Sequence, residues 1–264
     1  MPAIHDFTHA IVRKPARSVV SGLRAGGGAD PTYEGVANEH AAYCAALINE
    51  GVAVTILPAL EAFPDSIFVE DPALVFPEGA ILLRPGAKTR AGEVDAIAPA
   101  LRDRFETVLA LDEGFADGGD ILATPERVMI GLSARTDKKG AEALMRLLAQ
   151  LGKRATIVET PKDVLHFKTD CALIDEETVL TTPRLSRSGV FKGFREILTQ
   201  AGEDAAANAL RIREALFVGA TFKRTIEMLE KQGFPVVPLP AEEIGRIDAG
   251  LSCMSLRWRS LTGA

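Results

Sequence analysis

The sequence predicts an α/β fold in which units of two strands, a helix and one further strand are set radially around a common axis. Two observations predict it. Strand-like and helix-like stretches alternate along all 264 residues, with a period of roughly fifty residues, which is in the range of repeat architectures. Each period also carries more strand than a doubly wound sheet needs, because a hairpin precedes the helix. Radial closure hides the edges of such small sheets and brings one set of loops to one end of the axis.

Taken in order, residues 8–13 read as a strand, and residues 33–51 carry Ala, Leu and Ile at helical spacing with a glycine stop. Residues 52–57 return as a strand, bounded by Pro58. Residues 73–76 and 80–84 form a hairpin across Pro77-Glu-Gly79, followed by a helix over 92–105 and a strand over 107–111. The cycle recurs as strands 120–123 and 127–131, helix 140–152 and strand 155–159. It recurs again as strands 171–174 and 178–181, with a short helix over 193–198. A strand over 214–218, an amphipathic helix over 220–233 and a strand over 235–239 complete the pattern. No Pro/Gly/Ser-rich linker interrupts it, although residues 25–30 are a candidate flexible loop, so one domain is expected over 1–264.

Composition narrows the function. A hydrophobic content of 47% suffices for a sizeable core, and a net charge of −6 lacks the basic excess of a nucleic-acid binder while suiting a cationic substrate. The first residues, Met-Pro-Ala-Ile-His-Asp, lack the pattern of a signal peptide, and no apolar run is long enough to span a bilayer. The three cysteines, Cys44, Cys171 and Cys253, are widely spaced and form no C-x-x-C pair, which argues against a disulfide or zinc framework. A reduced, cytoplasmic setting is expected, with no nucleic-acid or membrane partner.

Four segments carry candidate chemistry. Asp65, Glu70 and Asp71 crowd the apolar run Phe63-Pro-Asp-Ser-Ile-Phe-Val-Glu-Asp-Pro72, where carboxylates are costly unless they meet a cation. A guanidinium offers a bidentate match, and a solvated loop is the plainer reading. Ala116-Asp-Gly-Gly-Asp120 is either a tight turn or a close backbone approach with Asp117 facing a ligand. His166, in Val164-Leu-His-Phe-Lys-Thr169, is structural unless a nucleophile lies opposite. Cys253 follows Asp248-Ala-Gly250 at a loop edge, so it is either a core residue or a thiol that a neighbouring cation could activate. Cysteine, histidine and an orienting acid together would permit covalent catalysis.

These segments, with Gly131-Leu-Ser-Ala-Arg-Thr136 and Ile247-Asp-Ala-Gly-Leu-Ser-Cys253, resemble in order the motifs of the dimethylarginine dimethylaminohydrolase family, over nearly the whole chain. The resemblance implies a five-bladed α/β propeller, the pentein fold of guanidino-group modifying enzymes. It implies hydrolysis of Nω-methylated arginines to citrulline and an amine. Cys253 would be the nucleophile, His166 the acid and base, and Asp117 its orienting partner. Asp65, Glu70 and Asp71 would hold the guanidinium, and Arg90 and Arg135 the substrate carboxylate. Leu23 would cover the pocket beside Ala25-Gly-Gly-Gly28, and Ile247 would offer a backbone carbonyl. No organic cofactor and no metal are implied for turnover, although a Cys253–His166 pair could bind inhibitory zinc. A monomer or homodimer acting on a small molecule is expected.

The sequence departs from the family pattern in the basic run Pro183-Arg-Leu-Ser-Arg-Ser188, in the terminal run from Arg257, expected to have no catalytic part, and in Ala205-Ala-Ala-Asn208, a partial match. Other readings are an arginine deiminase-like or amidinotransferase-like relative, and a non-catalytic protein that binds cationic amino acids. The last would need Asp65, Glu70 and Arg135 but neither Cys253 nor His166.

Overall fold

The computed structural model describes residues 4–24, 28–162 and 164–260. Its strands form five three-stranded sheets. The first unit contributes β1 (His9–Arg13), α1 (Tyr33–Asn49) and β2 (Ala53–Leu57). Four full units follow. The second is β3 (Ala73–Phe76), β4 (Gly79–Leu82), α2 (Glu93–Arg102) and β5 (Val108–Ala110). The third is β6 (Ile121–Ala123), β7 (Val128–Leu132), α3 (Lys138–Gln150) and β8 (Ala155–Glu159). In the fourth, β9 (Cys171–Leu173) and β10 (Thr178–Thr181) lead to α4 (Pro183–Ser186) and β11 (Arg195–Leu198). In the fifth, β12 (Leu210–Ile212) and β13 (Ala215–Gly219) lead to α5 (Lys223–Lys231) and β14 (Val236–Leu239). A last turn of helix, α6 (Glu242–Gly245), precedes β15 (Leu256–Trp258).

In every full unit the first two strands are antiparallel and the third lies parallel to the second, across the helix. The first unit lacks its own leading strand. β15 supplies it by pairing antiparallel with β1, His9 opposite Trp258, and so closes the ring. The His9 ring stacks on Trp258 at 5.4 Å, and Phe105 packs on its other neighbour side at 5.1 Å. The five leading strands β3, β6, β9, β12 and β15 all line one axial cavity, which is the mark of a propeller. This is the five-unit pseudo-symmetric arrangement that the resemblance implied.

Burial explains the sequence pattern. The middle strands β4, β10 and β13 are buried at every position; β4 and β13 read as unbroken apolar runs, and β10 sets Val179 and Leu180 between two buried threonines. The outer strands β2 and β8 are partly exposed, with no position fully buried. Thr32 caps α1 through the Gly35 N–H, and Asp137 caps α3 through the Gly140 N–H at 2.6 Å.

Two elements correct the sequence reading. Residues 195–198, expected in a helix, are the strand β11, in which Ile197 is buried while Glu196 and Leu198 are exposed. Only Ile197 of this strand turns inward, and the helix of this unit is instead the single turn α4, with Pro183 following the Thr182 cap. The strand β12 was not expected, because only three residues with Arg211 at their centre carry it. Of the candidate loop, residues 25–27 lie outside the described residues. Among the described residues no helix is long and apolar enough to cross a membrane.

Candidate active site

The segments that enter the five leading strands meet at one end of the axis. Residues 65–71 enter β3, Asp117 enters β6, His166 enters β9, Asn208 enters β12 and Cys253 enters β15. Radial symmetry therefore converts five distant loops into one constellation.

Asp71 lies at its centre. Its carboxylate accepts the Gly119 N–H at 2.9 Å and pairs with Arg90. Burial alone would raise its pKa, but Arg90, His166 and the Gly119 N–H outweigh that and hold it below the usual range. Gly119 has to be glycine: a Cβ there would stand 2.7 Å from His166 Nδ1 and 3.0 Å from Asp71 Oδ1. The two-glycine turn is thus a close backbone approach, one of the two readings its sequence allowed.

His166 Nε2 lies 3.3 Å from Asp117 Oδ2 as an ion pair, without the alignment of a hydrogen bond. Burial opposes charge on the imidazole, yet Asp117, Asp71 and Asp120 together raise its pKa to about 9. Asp117 is fully buried; its Oδ1 accepts the Gly86 N–H at 2.7 Å, and Arg135 Nη1 approaches Oδ2 at 3.9 Å. Asp120 shapes the neighbouring loop, accepting from Ser133 Oγ, Thr136 Oγ1 and the Phe167 N–H.

Cys253 is half-buried, in a short 3₁₀ turn after Gly250. Its carbonyl accepts the Glu70 N–H at 3.2 Å, which ties the thiol loop to the acids. Burial, then the charges of Glu70 and Asp71, push its pKa up to about 11, so the thiol is neutral at ordinary pH. Cys44 and Cys171 are buried thiols whose pKa burial also raises, which suits the inert role expected of them.

The remaining expected residues divide. Asp65 Oδ1 accepts the Leu23 N–H at 2.8 Å, and Gly22 lies between Asp65 and Ile247, so these three form one wall. Burial raises the Asp65 pKa. Glu70 is buried between Lys168 and Arg257, with Ser252 Oγ 3.4 Å away. Arg135 is partly exposed beside Asp117. Arg90 is placed differently from expectation. It is buried behind the acids, bound to Asp71, to Glu93 and to the carbonyls of Asp65 and Phe68. A guanidinium so occupied braces the acids and does not face a substrate carboxylate.

Three further residues belong to the constellation. Asn208 Nδ2 donates to Cys253 Sγ at 3.6 Å while its Oδ1 accepts the Ser252 N–H at 3.0 Å. Lys168 and Arg257 neutralise Glu70, so the terminal run from Arg257 is part of the site's support and not a mere extension. The place of Asn208 shows only in the fold, where it precedes β12 as His166 precedes β9. Asp71, Asp117 and His166 also bring one ligand atom each within 4.8 Å of one another, a grouping that could hold a metal ion.

A family model described as arginine deiminase matches residues 59–212. A dimethylarginine dimethylaminohydrolase of Pseudomonas aeruginosa is 36% identical over 96% of this chain and 100% of its own length. A structure of the enzyme from that organism, a cysteine-to-serine mutant complexed with citrulline, superposes with a TM-score of 0.92 over 95% of this chain and 99% of the other. A second dimethylarginine dimethylaminohydrolase structure, a histidine-to-glycine variant in adduct with S-methyl-L-thiocitrulline, gives 0.91 at 36% identity over the same 95% and 99%.

Proposed function

The chain belongs to the dimethylarginine dimethylaminohydrolase family, and from that premise we propose how its pocket hydrolyses Nω-methylated arginines to L-citrulline and methylamine or dimethylamine. The observation that carries the reading is the convergence of a half-buried thiol, Cys253, a histidine held by Asp117, and the buried acids Asp65, Glu70 and Asp71 on one end of the axis.

A substrate guanidinium among Asp65, Glu70 and Asp71 offsets the negative charge that raises the thiol. Cys253 then loses its proton to solvent, and Sγ attacks the guanidinium carbon. His166 gives its proton to the departing nitrogen, the C–N bond breaks, the amine leaves, and a thiouronium remains on Cys253. Neutral His166 next takes a proton from water; the hydroxide attacks the same carbon, the C–S bond breaks, and citrulline leaves. Asp117 keeps the imidazole oriented and stabilises the charge that the proton from water restores. Asn208 steadies the thiolate through its amide donor.

Arg135 takes the substrate carboxylate, while Arg90 acts by fixing Asp71. Leu23 and Ile247 complete the wall beside Asp65. The steps use side chains alone and need no organic cofactor. A divalent cation held by Asp71, Asp117 and His166 would compete with the substrate's own charge. We assign the activity to a single catalytic domain, cytoplasmic, monomeric or homodimeric, acting on a free small molecule; the spaced cysteines and the acidic balance support this.

The test is citrulline formation from asymmetric dimethylarginine, monomethylarginine and arginine, with the wild type and Cys253→Ser. Cys253-dependent citrulline from the methylated substrates, with little from arginine, is expected. Turnover of arginine alone would point to a deiminase, and unimpaired turnover by Cys253→Ser removes the mechanism.

A further inference from the structure

The leading strands enclose an axial cavity of about 780 Å³ that neither Cys253, His166 nor Asp117 lines. It begins at Glu70 and Arg257 and runs along the strands to a rim at the exposed residues Glu126 and Arg154, at the other end of the axis. Three lining nitrogens in it are buried without a protein partner: Arg257 Nε, Arg211 Nη1 and His5 Nε2.

The rest of each side chain is tied down. Arg257 Nη1 donates to the carbonyls of Ser252 and Ser255, at 2.9 and 2.6 Å, and its Nη2 donates to Glu70. Arg211 Nε donates to the Arg213 carbonyl at 2.7 Å, and Nη2 meets Glu214 at 3.3 Å. The His5 ring is held through the Asp175 backbone and lies close enough to both guanidiniums to feel their charge. The acids nearby are already engaged: Asp6 pairs with Arg213 and Arg259, Glu70 is shared by Lys168 and Arg257, Glu214 meets only Nη2 of Arg211, and the charge of Asp175 reaches Arg211 and His5. Two fixed guanidiniums, each with one carboxylate on another nitrogen, thus turn one unfilled donor apiece into the same cavity.

His5 refines the ligand. Burial, with Arg211 and Arg257, lowers its pKa to about 4, so it is neutral at pH 7. With the other nitrogen donating to the Asp175 carbonyl, Nε2 carries a lone pair and accepts. We propose that the axial cavity binds a small oxyanion that retains a proton, of the hydrogen phosphate type, on Arg257 Nε, Arg211 Nη1 and His5 Nε2. The guanidiniums donate to the charged oxygens, and the anion's own O–H donates to His5. Sulfate, without that proton, satisfies two of the three.

Inorganic phosphate and sulfate, added at matched ionic strength, test this by thermal melting. Phosphate should raise Tm saturably, by about 3 °C at roughly tenfold its Kd, and sulfate should do less. Arg211→Met, which removes one donor remote from the thiol, should lose the phosphate effect, and His5→Phe should lose the preference over sulfate. Crystals of the wild type grown with arsenate should place an arsenic anomalous peak within hydrogen-bond reach of Arg257 and Arg211. Absence of that peak from the cavity, or a phosphate effect unchanged in Arg211→Met, overturns the site. Equal shifts with sulfate in the wild type overturn the part given to His5.

Discussion

The two ends of the propeller axis are built from the same five strands and have opposite chemical polarity. At the end where the chain enters those strands, acids gather: Asp65, Glu70, Asp71 and Asp117 are all buried, and Asp117 Oδ2 has no aligned donor. Along the cavity beyond, the unpartnered groups include the nitrogens of Arg211, Arg257 and His5. Glu70, clamped by Lys168 and Arg257, is the boundary between them. A radial fold therefore fixes where side chains converge but not what they recognise. Recognition is decided by which charges are left without a partner.

The sharpest way to separate the two ends is to remove the proton donor at one of them. His166→Gly should lower kcat by about 10²–10⁴-fold and halt amine release, with the melting response to phosphate intact; stopped-flow amine detection reads the first and thermal melting the second. Wild-type release would remove the acid role of His166.

The boundary itself can be broken next. Glu70→Gln leaves Lys168 and Arg257 in a buried site without their carboxylate, at a cost of about 3–5 kcal/mol, measurable by urea unfolding. The same change removes one of the charges that raise the Cys253 thiol. The alkylation midpoint of the free enzyme should therefore fall below about 11, and an unchanged midpoint would show that Glu70 does not act on sulfur.

Asp117→Asn is expected to act on one end only. It takes away a group that raises His166 to about 9, so the basic limb of the pH–rate profile should move down toward 6.5. The linkage has a definite sign. Because the folded pKa is the higher, the charged imidazole stabilises the wild type fully below about 6.5, and that contribution is lost as pH rises through about 9. The variant should lack most of this decline, and melting curves across that window check it. The smallest effect is that of Asn208→Ala, which withdraws one donor from Cys253 Sγ: kcat down roughly tenfold, with a higher alkylation midpoint.

Much of the site was legible because its parts are local motifs. Phe63-Pro-Asp-Ser-Ile-Phe-Val-Glu-Asp, Asp117-Gly-Gly-Asp and the Cys253 segment each lie on one loop; singly their residue types left plainer readings open, and their order along the chain, resembling one family, joined them. What escaped depends on distance. Arg257 reaches Glu70 across 187 positions, and Asn208 reaches Cys253 across 45; no local pattern encodes either. Arg90 carried the right charge but a different duty, because its neighbours Asp71 and Glu93 consume its donors. Strands failed where charged residues stand in them, since β5, β6 and β9 are as short as β12 and were read. β12 has Arg211 at its centre and β11 opens with Arg195 and Glu196, so neither shows the apolar run that marked the others.

The closure of the ring by β15 has a consequence for when the protein becomes reactive. Cys253 stands three positions before Leu256, the first residue of the strand that zips onto β1. Its loop is also pinned to Glu70, in a unit made far earlier in the chain. Synthesis thus delivers four of the five converging loops before the thiol, and the thiol arrives with the strand that locks the circle. Assembly and arming are one event, so a stalled or partly folded polypeptide presents an acid-lined vestibule with nothing in it to attack a passing guanidinium.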